Sequence, residues 1–342
     1  MSRLHEAMQR HIAARAAPGI VTGVRHRGRT EIDAVGALAF DGKPMQRDSI
    51  FRIASVTKTI LAATALSLVE DATIHLDAPI DKWLPELANR RVLAKLDGPL
   101  DQTVAARRRI TVRDLLTFKL GFGLLFGTAG TPIQKAITER ELHLGPPSPA
   151  KAPPPDEWMR RLGELPLMFQ PGEQWLYSAG SDILGVLVAR AAGKPLEALM
   201  QERIFEPLGM KDTSFHCPPG KVDRFATGYM GKGEDKPLTF ADSPTDGEWN
   251  RAPAFPFGAA GLDSTVDDLL AFGGMLENEG AHGKHRVLAR TSVLAMATDQ
   301  LDGTENASRH FIEGYFDSRG WGFGCAVVTK RSGPDASPGA FG

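Results

Sequence analysis

The segment from Thr59 to Val69 carries Ile60, Leu61, Ala62, Ala63, Ala65, Leu66, Leu68 and Val69 and is apolar on nearly every face. A helix without a polar stripe belongs inside a core, so the remainder of the chain has to be built around it. Immediately before it runs Phe51-Arg52-Ile53-Ala54-Ser55-Val56-Thr57-Lys58, which sets Ser55 and Lys58 three residues apart. On a helix these positions share a face about one turn apart, which brings the amine within reach of the hydroxyl. At the first turn of such a helix the unpaired N–H groups and the positive end of the dipole favour an alkoxide or a tetrahedral oxyanion. Desolvation lowers the pKa of a lysine, as a proton acceptor near neutral pH requires. A serine in this place is also a common N-cap, so the motif by itself leaves catalysis and capping both open. A second S-x-x-K, Ser148-Pro149-Ala150-Lys151, lies among prolines that forbid helical spacing.

The chain has 342 residues, 42% hydrophobic and 24% charged, enough to bury a large core as one domain or two intertwined ones. A formal net charge of −1 supplies no field for a phosphate backbone, and Arg107-Arg108-Arg109 reads as a solvated loop, so no nucleic-acid function is expected. Residues 1–17 pattern as an amphipathic helix without the apolar centre of a signal peptide. No run approaches the roughly 18 apolar residues of a membrane span, so no membrane role is expected either. Cys217 and Cys325 make no disulfide framework and lack metal-ligand spacing. The expectation is a reduced, cytoplasmic protein with two small buried thiols. The histidines are scattered and H-E-x-x-H is absent, so no metal site is expected.

Gly19–His26 and Glu31–Phe40 are β-prone around Arg27-Gly28-Arg29 and read as a hairpin. Asp77–Leu87 reads as a loop with a short helix, and Thr111 is placed to cap a helix beginning at Val112. Gly145–Pro155, rich in proline, reads as an exposed linker or excursion. Trp175-Leu176-Tyr177-Ser178 opens a second apolar helix, and Ser264-Thr265-Val266-Asp267 has the form of a capping box before a third. Trp321–Thr329 returns to strand character. Strands at both ends with helices between them predict an α+β fold, an antiparallel sheet flanked by helices and built from both chain ends, with a helical insertion. Residues 1–77 and 262–342 are assigned to the sheet domain and 78–261 to a mainly helical domain.

No serine has a glycine two residues before it, so the G-x-S-x-G elbow of α/β-hydrolases is absent. Ser55 with Lys58, Tyr177-Ser178 opening a later helix, and the Gly261-Leu262-Asp263-Ser264-Thr265 turn instead form an ordered set. With Pro171-Gly172-Glu173, Glu206-Pro207-Leu208-Gly209-Met210 and Asp114-Leu115-Leu116-Thr117, this set resembles the serine β-lactamase and penicillin-binding superfamily. The likeness runs from about Gly19 to the last residue and is strongest to the class C-like branch, which includes esterases with a β-lactamase fold. It implies a β-lactamase/transpeptidase-like fold, no cofactor, Ser55 as nucleophile, Lys58 sharing or relaying its proton, and Tyr177 as a phenolate-like base. A phenol beside an ammonium has its pKa lowered, and the pair titrates as a unit.

Two departures from the family pattern shape the expected substrate. The asparagine that often stands two residues after the tyrosine, where it contacts a substrate amide, is here Ala179, which favours an ester with an apolar acyl part. Phe118-Lys119-Leu120-Gly121-Phe122 stands where relatives usually carry small polar residues, so a bulky apolar rim is expected there, with Phe118, Lys119 and Ala179 as the substrate-binding residues. The family's third element, a lysine, histidine or tryptophan followed by a small residue and glycine, supplies a second oxyanion N–H. Ser337-Pro338-Gly339-Ala340-Phe341-Gly342 reaches the threshold of that strand, and the expectation is a chain truncated before the final strands, leaving an unpaired sheet edge. The reading is a serine hydrolase of small-molecule esters or amides. A β-lactamase or D-amino peptidase with the same machinery, and a binding module retaining the fold without turnover, are the alternatives. The oligomeric state is left open.

Overall fold

The structure is a computed structural model and describes residues 3–126, 130–231, 236–301, 311–334 and 336–342. The helix Val56–Glu70 is surrounded on all sides: every residue from Thr57 to Leu68 is buried. Its interior hydroxyls turn back on the helix, Thr64 Oγ1 donating to the Ile60 carbonyl at 3.0 Å and Ser67 Oγ to that of Thr64 at 2.8 Å. They need no outside partner, so the whole helix can be submerged. Helices Ala179–Ala192 and Arg290–Met296 pack directly on it. Among the described residues the main apolar core runs from Ile60 through Trp158 and Leu187 to Met296 and Phe323, with smaller clusters around Phe225 and around Trp175.

The predicted hairpin is present as Gly19–His26 paired with Arg29–Gly36, in continuous antiparallel register from Gly19↔Gly36 to His26↔Arg29. Arg27 and Gly28, at φ 49° and 76°, form the two-residue turn, whose left-handed backbone matches the twist of the strands. The second strand stops at Gly36 and does not run on to Phe40, because Gly36 turns at φ 80° where a Cβ would stand 2.4 Å from the Pro18 carbonyl oxygen.

The fold is α+β, and its paired strands run antiparallel, with isolated parallel bridges at Ile50↔Phe225 and Val92↔Leu167. Among the described residues the strands form separate two-stranded ladders and no continuous sheet. Phe51–Arg52 pairs with Asp263–Ser264, and Arg319–Trp321 with Ala326–Val328. The last residues lie along this second ladder, Phe341 bridging Val327 and Gly342 exchanging two backbone hydrogen bonds with Ala326 at 3.1 Å. Among the described residues no helix is long and apolar enough to cross a membrane.

The intervening segment is mostly short helices. The predicted Thr111 cap is a full capping box, the Thr111 hydroxyl accepting the Asp114 N–H while the Asp114 carboxylate accepts that of Thr111. The box predicted at Ser264 and Asp267 is displaced by one residue. Thr265 caps Val266–Glu277 through the Asp268 N–H, whereas Ser264 belongs to a strand and Asp267 pairs with Arg47. The strand ladder claims Ser264, so the extended cap position falls on Thr265. The proline-rich stretch is not simply an exposed linker either: Ala152 is buried in the main core, and Pro146, Pro147 and Lys151 form one wall of a cavity. Ser148 and Lys151 are joined only by a backbone turn.

Both thiols are buried and free, and burial pushes Cys217 up to about 11 and Cys325 up to about 12. Asp263 is fully buried beside Arg52, with neither carboxyl oxygen hydrogen-bonded, and burial pushes its pKa well above the ordinary range. The folded chain therefore holds a proton that the unfolded chain releases near its ordinary carboxylate pKa. The stability associated with this proton is fully present below that unfolded value and declines as pH rises toward the folded one. Asp263→Asn removes the titration, so the mutant's melting temperature should exceed that of the native protein more at mildly alkaline than at acidic pH. The gain should be about 1–2 °C for each kcal/mol recovered, checked by thermal melts at two pH values.

Candidate active site

The strand Phe51–Arg52 feeds into the buried helix through a sharp reversal at Ala54, whose φ of 44° lies in the left-handed region. Ser55 follows at φ −67° and ψ −9°, already helical, and its side chain makes no capping hydrogen bond. The capping alternative left open by the sequence is thereby removed, and the hydroxyl is directed out of the helix into an exposed position. Lys58, one turn on, is only 3% exposed. Its Nζ donates to Ser55 Oγ at 2.9 Å and to the Ala259 carbonyl at 2.6 Å. Burial lowers the Lys58 pKa, opposed by the nearby Tyr177 and Asp182.

Tyr177 arrives from far along the chain and its hydroxyl is hydrogen-bonded to Ser55 Oγ at 2.7 Å. Lys58 Nζ also lies 4.5 Å from the centre of the Tyr177 ring. The tyrosine is fixed by its backbone as well as by packing. Ser178 sits at φ 81° and ψ −60°, and the Ala179 N–H returns to the Tyr177 carbonyl at 3.2 Å, a strained γ-turn that bends the chain into the helix Ala179–Ala192. The same carbonyl accepts the Leu124 N–H at 2.9 Å. This approach requires glycine at position 123, where a Cβ would come within 2.7 Å of Leu176 Cβ and 2.9 Å of the Tyr177 oxygen. Phe118, Trp175, Phe311 and Trp321 surround the ring with centroid separations between 5.4 and 6.4 Å.

A cavity of about 470 Å³ opens at Ser55, Lys58 and Tyr177, walled by Phe272, Leu276, Tyr315, Trp321 and Phe341. A second cavity, of about 500 Å³, begins at Ala54 and is lined by Arg52, Lys151, Tyr229, Asp242 and Trp249. The Ser55 N–H, at the helix N-terminus, makes no backbone hydrogen bond among the described residues. Phe341 and Gly342 also line the first cavity.

Of the predicted site residues, Ser55, Lys58 and Tyr177 are brought together and the proposed rim is not. Phe118 is completely buried behind Tyr177, its ring 4.9 Å from that of Trp321. Ala179 is also fully buried, at the start of its helix. Lys119 is half-buried, with its backbone bonded to the Asp114 carbonyl and the Gly172 N–H. None of the three lines the cavity at Ser55. A left-handed backbone at Phe118, φ 60°, turns its side chain inward. Phe311, Tyr315 and Trp321 take the rim, and their only trace in the sequence is the density of aromatic residues in that stretch.

Comparison with known proteins gives the chain a family. The family model described as Beta-lactamase matches residues 4–342. The chain belongs to the beta-lactamase family. Among members, Protein Rv1367c of Mycobacterium tuberculosis is 38% identical over 330 residues, covering 95% of this chain and 79% of that protein. Esterase EstB of Burkholderia gladioli is 36% identical over 249 residues, 67% of this chain and 57% of EstB. The solved structure of EstCE1, described as a hydrolase with promiscuous acyltransferase activity, superposes with a TM-score of 0.78 at 23% identity, covering 98% of this chain and 85% of that one. At that identity the superposition speaks to the beta-lactamase fold alone.

The edge-to-face packing of Phe118 against Tyr177, at 6.0 Å between ring centroids, gives a direct test of how the phenol is held. Phe118→Ala should lower stability by about 3–5 kcal/mol, the range for emptying a buried aromatic position. It should also slow covalent labelling of Ser55, because Tyr177 gains freedom to leave it. Denaturant unfolding and the rate of fluorophosphonate labelling measure the two effects.

Proposed function

We propose that this member of the beta-lactamase family is a serine ester hydrolase that works through an acyl-enzyme on Ser55. The observation that carries the reading is the simultaneous hydrogen bonding of Ser55 Oγ to Lys58 Nζ and Tyr177 Oη. A nucleophile held by both members of a proton-accepting pair is what acyl transfer requires. In the first half-reaction Ser55 Oγ bonds to the ester carbonyl carbon and its proton passes to the Lys58–Tyr177 unit. That unit returns the proton to the departing alkoxide as the C–O bond breaks. Water then attacks the acyl-serine by the same route and releases the acid. The Ser55 N–H, at the positive end of a helix, supplies one oxyanion donor, a contact that typically contributes about 3 kcal/mol to the transition state.

An ester is favoured over a β-lactam or a D-amino peptide because no amide side chain follows Tyr177. Ala179 is buried and offers a substrate amide nothing to bond. EstB, an esterase by name, points the same way. The aromatic cavity suits an apolar acyl group, while the cavity beyond Ala54, with Arg52, Lys151 and Asp242, suits a more polar alcohol part. The substrate is then a small molecule. Two free buried thiols suit a reducing compartment, and the cytoplasm is the location we adopt.

Ser55→Ala should abolish turnover of a small chromogenic ester while leaving the circular dichroism spectrum unchanged. Persistent turnover in that variant refutes the assignment. Lys58→Ala and Tyr177→Phe should each lower kcat by about 10²–10⁴-fold, and the double variant by much less than the product, since the two act as one unit. Ester and cephalosporin hydrolysis measured on one preparation separates the esterase from the β-lactamase reading, with the ester expected to be the better substrate.

A further inference from the structure

One buried carboxyl lies close beneath the Ser55 group and has no part in the reaction as written. Asp182 stands in the first turn of Ala179–Ala192 and is 2% exposed. Its Oδ1 accepts the Ala259 N–H at 2.9 Å, and the carbonyl of that same alanine accepts Lys58 Nζ at 2.6 Å. Ala259 is therefore held at both ends, by its N–H to the helix that follows Tyr177 and by its carbonyl to the helix that carries Ser55 and Lys58. Gly258 permits the arrangement, since a Cβ there would lie 2.5 Å from the Ser181 carbonyl oxygen and 2.6 Å from Leu61 Cδ2. The turn rests directly on both helices, and a displacement of either moves the acceptor of the lysine.

We propose that Asp182 is a positioning residue for the Ser55 group, fixing the Lys58 amine beneath Ser55 through Ala259 and holding the proton on Lys58 by its charge. The inference rests on the reading of Ser55, Lys58 and Tyr177 as one catalytic unit. A carboxylate buried at this depth is costly unless a cation compensates it, and a buried ammonium needs an anion for the same reason. Burial pushes the Asp182 carboxyl up to about 7, against the Ala259 N–H and Lys58, which both draw it down.

The other titratable groups around the pair are engaged elsewhere or act on Lys58 alone. On Val112–Leu116, which packs on the Asp182 helix, Asp114 is bound by Arg108 and Thr111. On Leu196–Met200, Glu197 faces the Phe215 N–H at 3.5 Å and His216 at 4.0 Å. Cys325, in the segment beside the Ser55 helix, stays a neutral thiol. Tyr177 acts on Lys58, and Lys58 is the charged side chain that acts on Asp182.

The test compares Asp182→Asn and Asp182→Ala with the native enzyme by ester turnover, Ser55 labelling with a fluorophosphonate, and melting temperature, each across the neutral pH range. The asparagine keeps an oxygen for the Ala259 N–H and loses the charge. Above about pH 7, where the native carboxyl is charged, its loss lets Lys58 give up its proton more readily, so the part of the acid limb of kcat/KM lying above pH 7 should move to lower pH by up to about one unit, with the plateau rate within about tenfold of native. The alanine also frees Ala259, and its plateau should fall by about 10²-fold, as for a reacting group displaced by an ångström. A purely structural role would lower the melting temperature of both variants and leave the acid limb of the asparagine variant in place, and that result overturns the proposal. Native rate and native pH profile in both variants overturn it equally. Failure of the native protein to label at Ser55 would instead refute the catalytic reading on which the proposal rests.

Discussion

The constraint on which the site depends is the burial of every residue from Thr57 to Leu68. Because no face of the helix reaches solvent over that span, Lys58 is carried into the interior with it, and an ammonium there is held only by what the fold places around its Nζ. Three groups meet it: the Ser55 hydroxyl, the Ala259 carbonyl and the face of the Tyr177 ring. The same burial that stabilises the core thus lowers the lysine's hold on its proton. Stability and reactivity share one cause here, and a polar face on this helix would weaken both.

Backbone strain gathers at the same place. Ala54, Phe118 and Ser178 all adopt positive φ, and each stands where the chain must change direction next to the site. Ala54 turns a strand into the helix that carries Lys58, Phe118 turns its ring against the tyrosine, and Ser178 turns the segment ending at Tyr177 into the second buried helix. Such conformations cost on the order of 1–3 kcal/mol each and persist only where the surroundings over-determine them. The surroundings do so here through the two hydrogen bonds on the Tyr177 carbonyl and the aromatic packing of Phe118 against Trp175 and Trp321.

Ser55 and Lys58 were legible in the sequence because their three-residue spacing stands at the mouth of an apolar run, whereas Tyr177 came from the resemblance of the ordered set of motifs to the beta-lactamase family. The Thr111 cap was legible because its partner stands at the required three-residue spacing. The rim was not. Phe118 and Ala179 look like residues at a mouth when read in line, yet a positive φ and a γ-turn send both inward, and no residue type in the sequence reports a dihedral angle. The Thr265 cap was missed by one position, since whether Ser264 joins a ladder depends on Phe51, more than two hundred residues away. Asp182 drew no notice for a related reason. Its partner is a backbone N–H, which every residue but proline possesses, and only the folded chain shows which one it meets.

The thiol of Cys325 bears on how the cavity would be probed. It lines the same space as Ser55, yet it is 1% exposed, its Sγ bonds the Met296 carbonyl at 3.3 Å, and burial keeps it protonated. A protonated sulfur is a poor nucleophile. Alkylating warheads that seek thiolates will therefore pass this pocket by, so any covalent inhibitor directed to it has to be built for a hydroxyl and not for a sulfur.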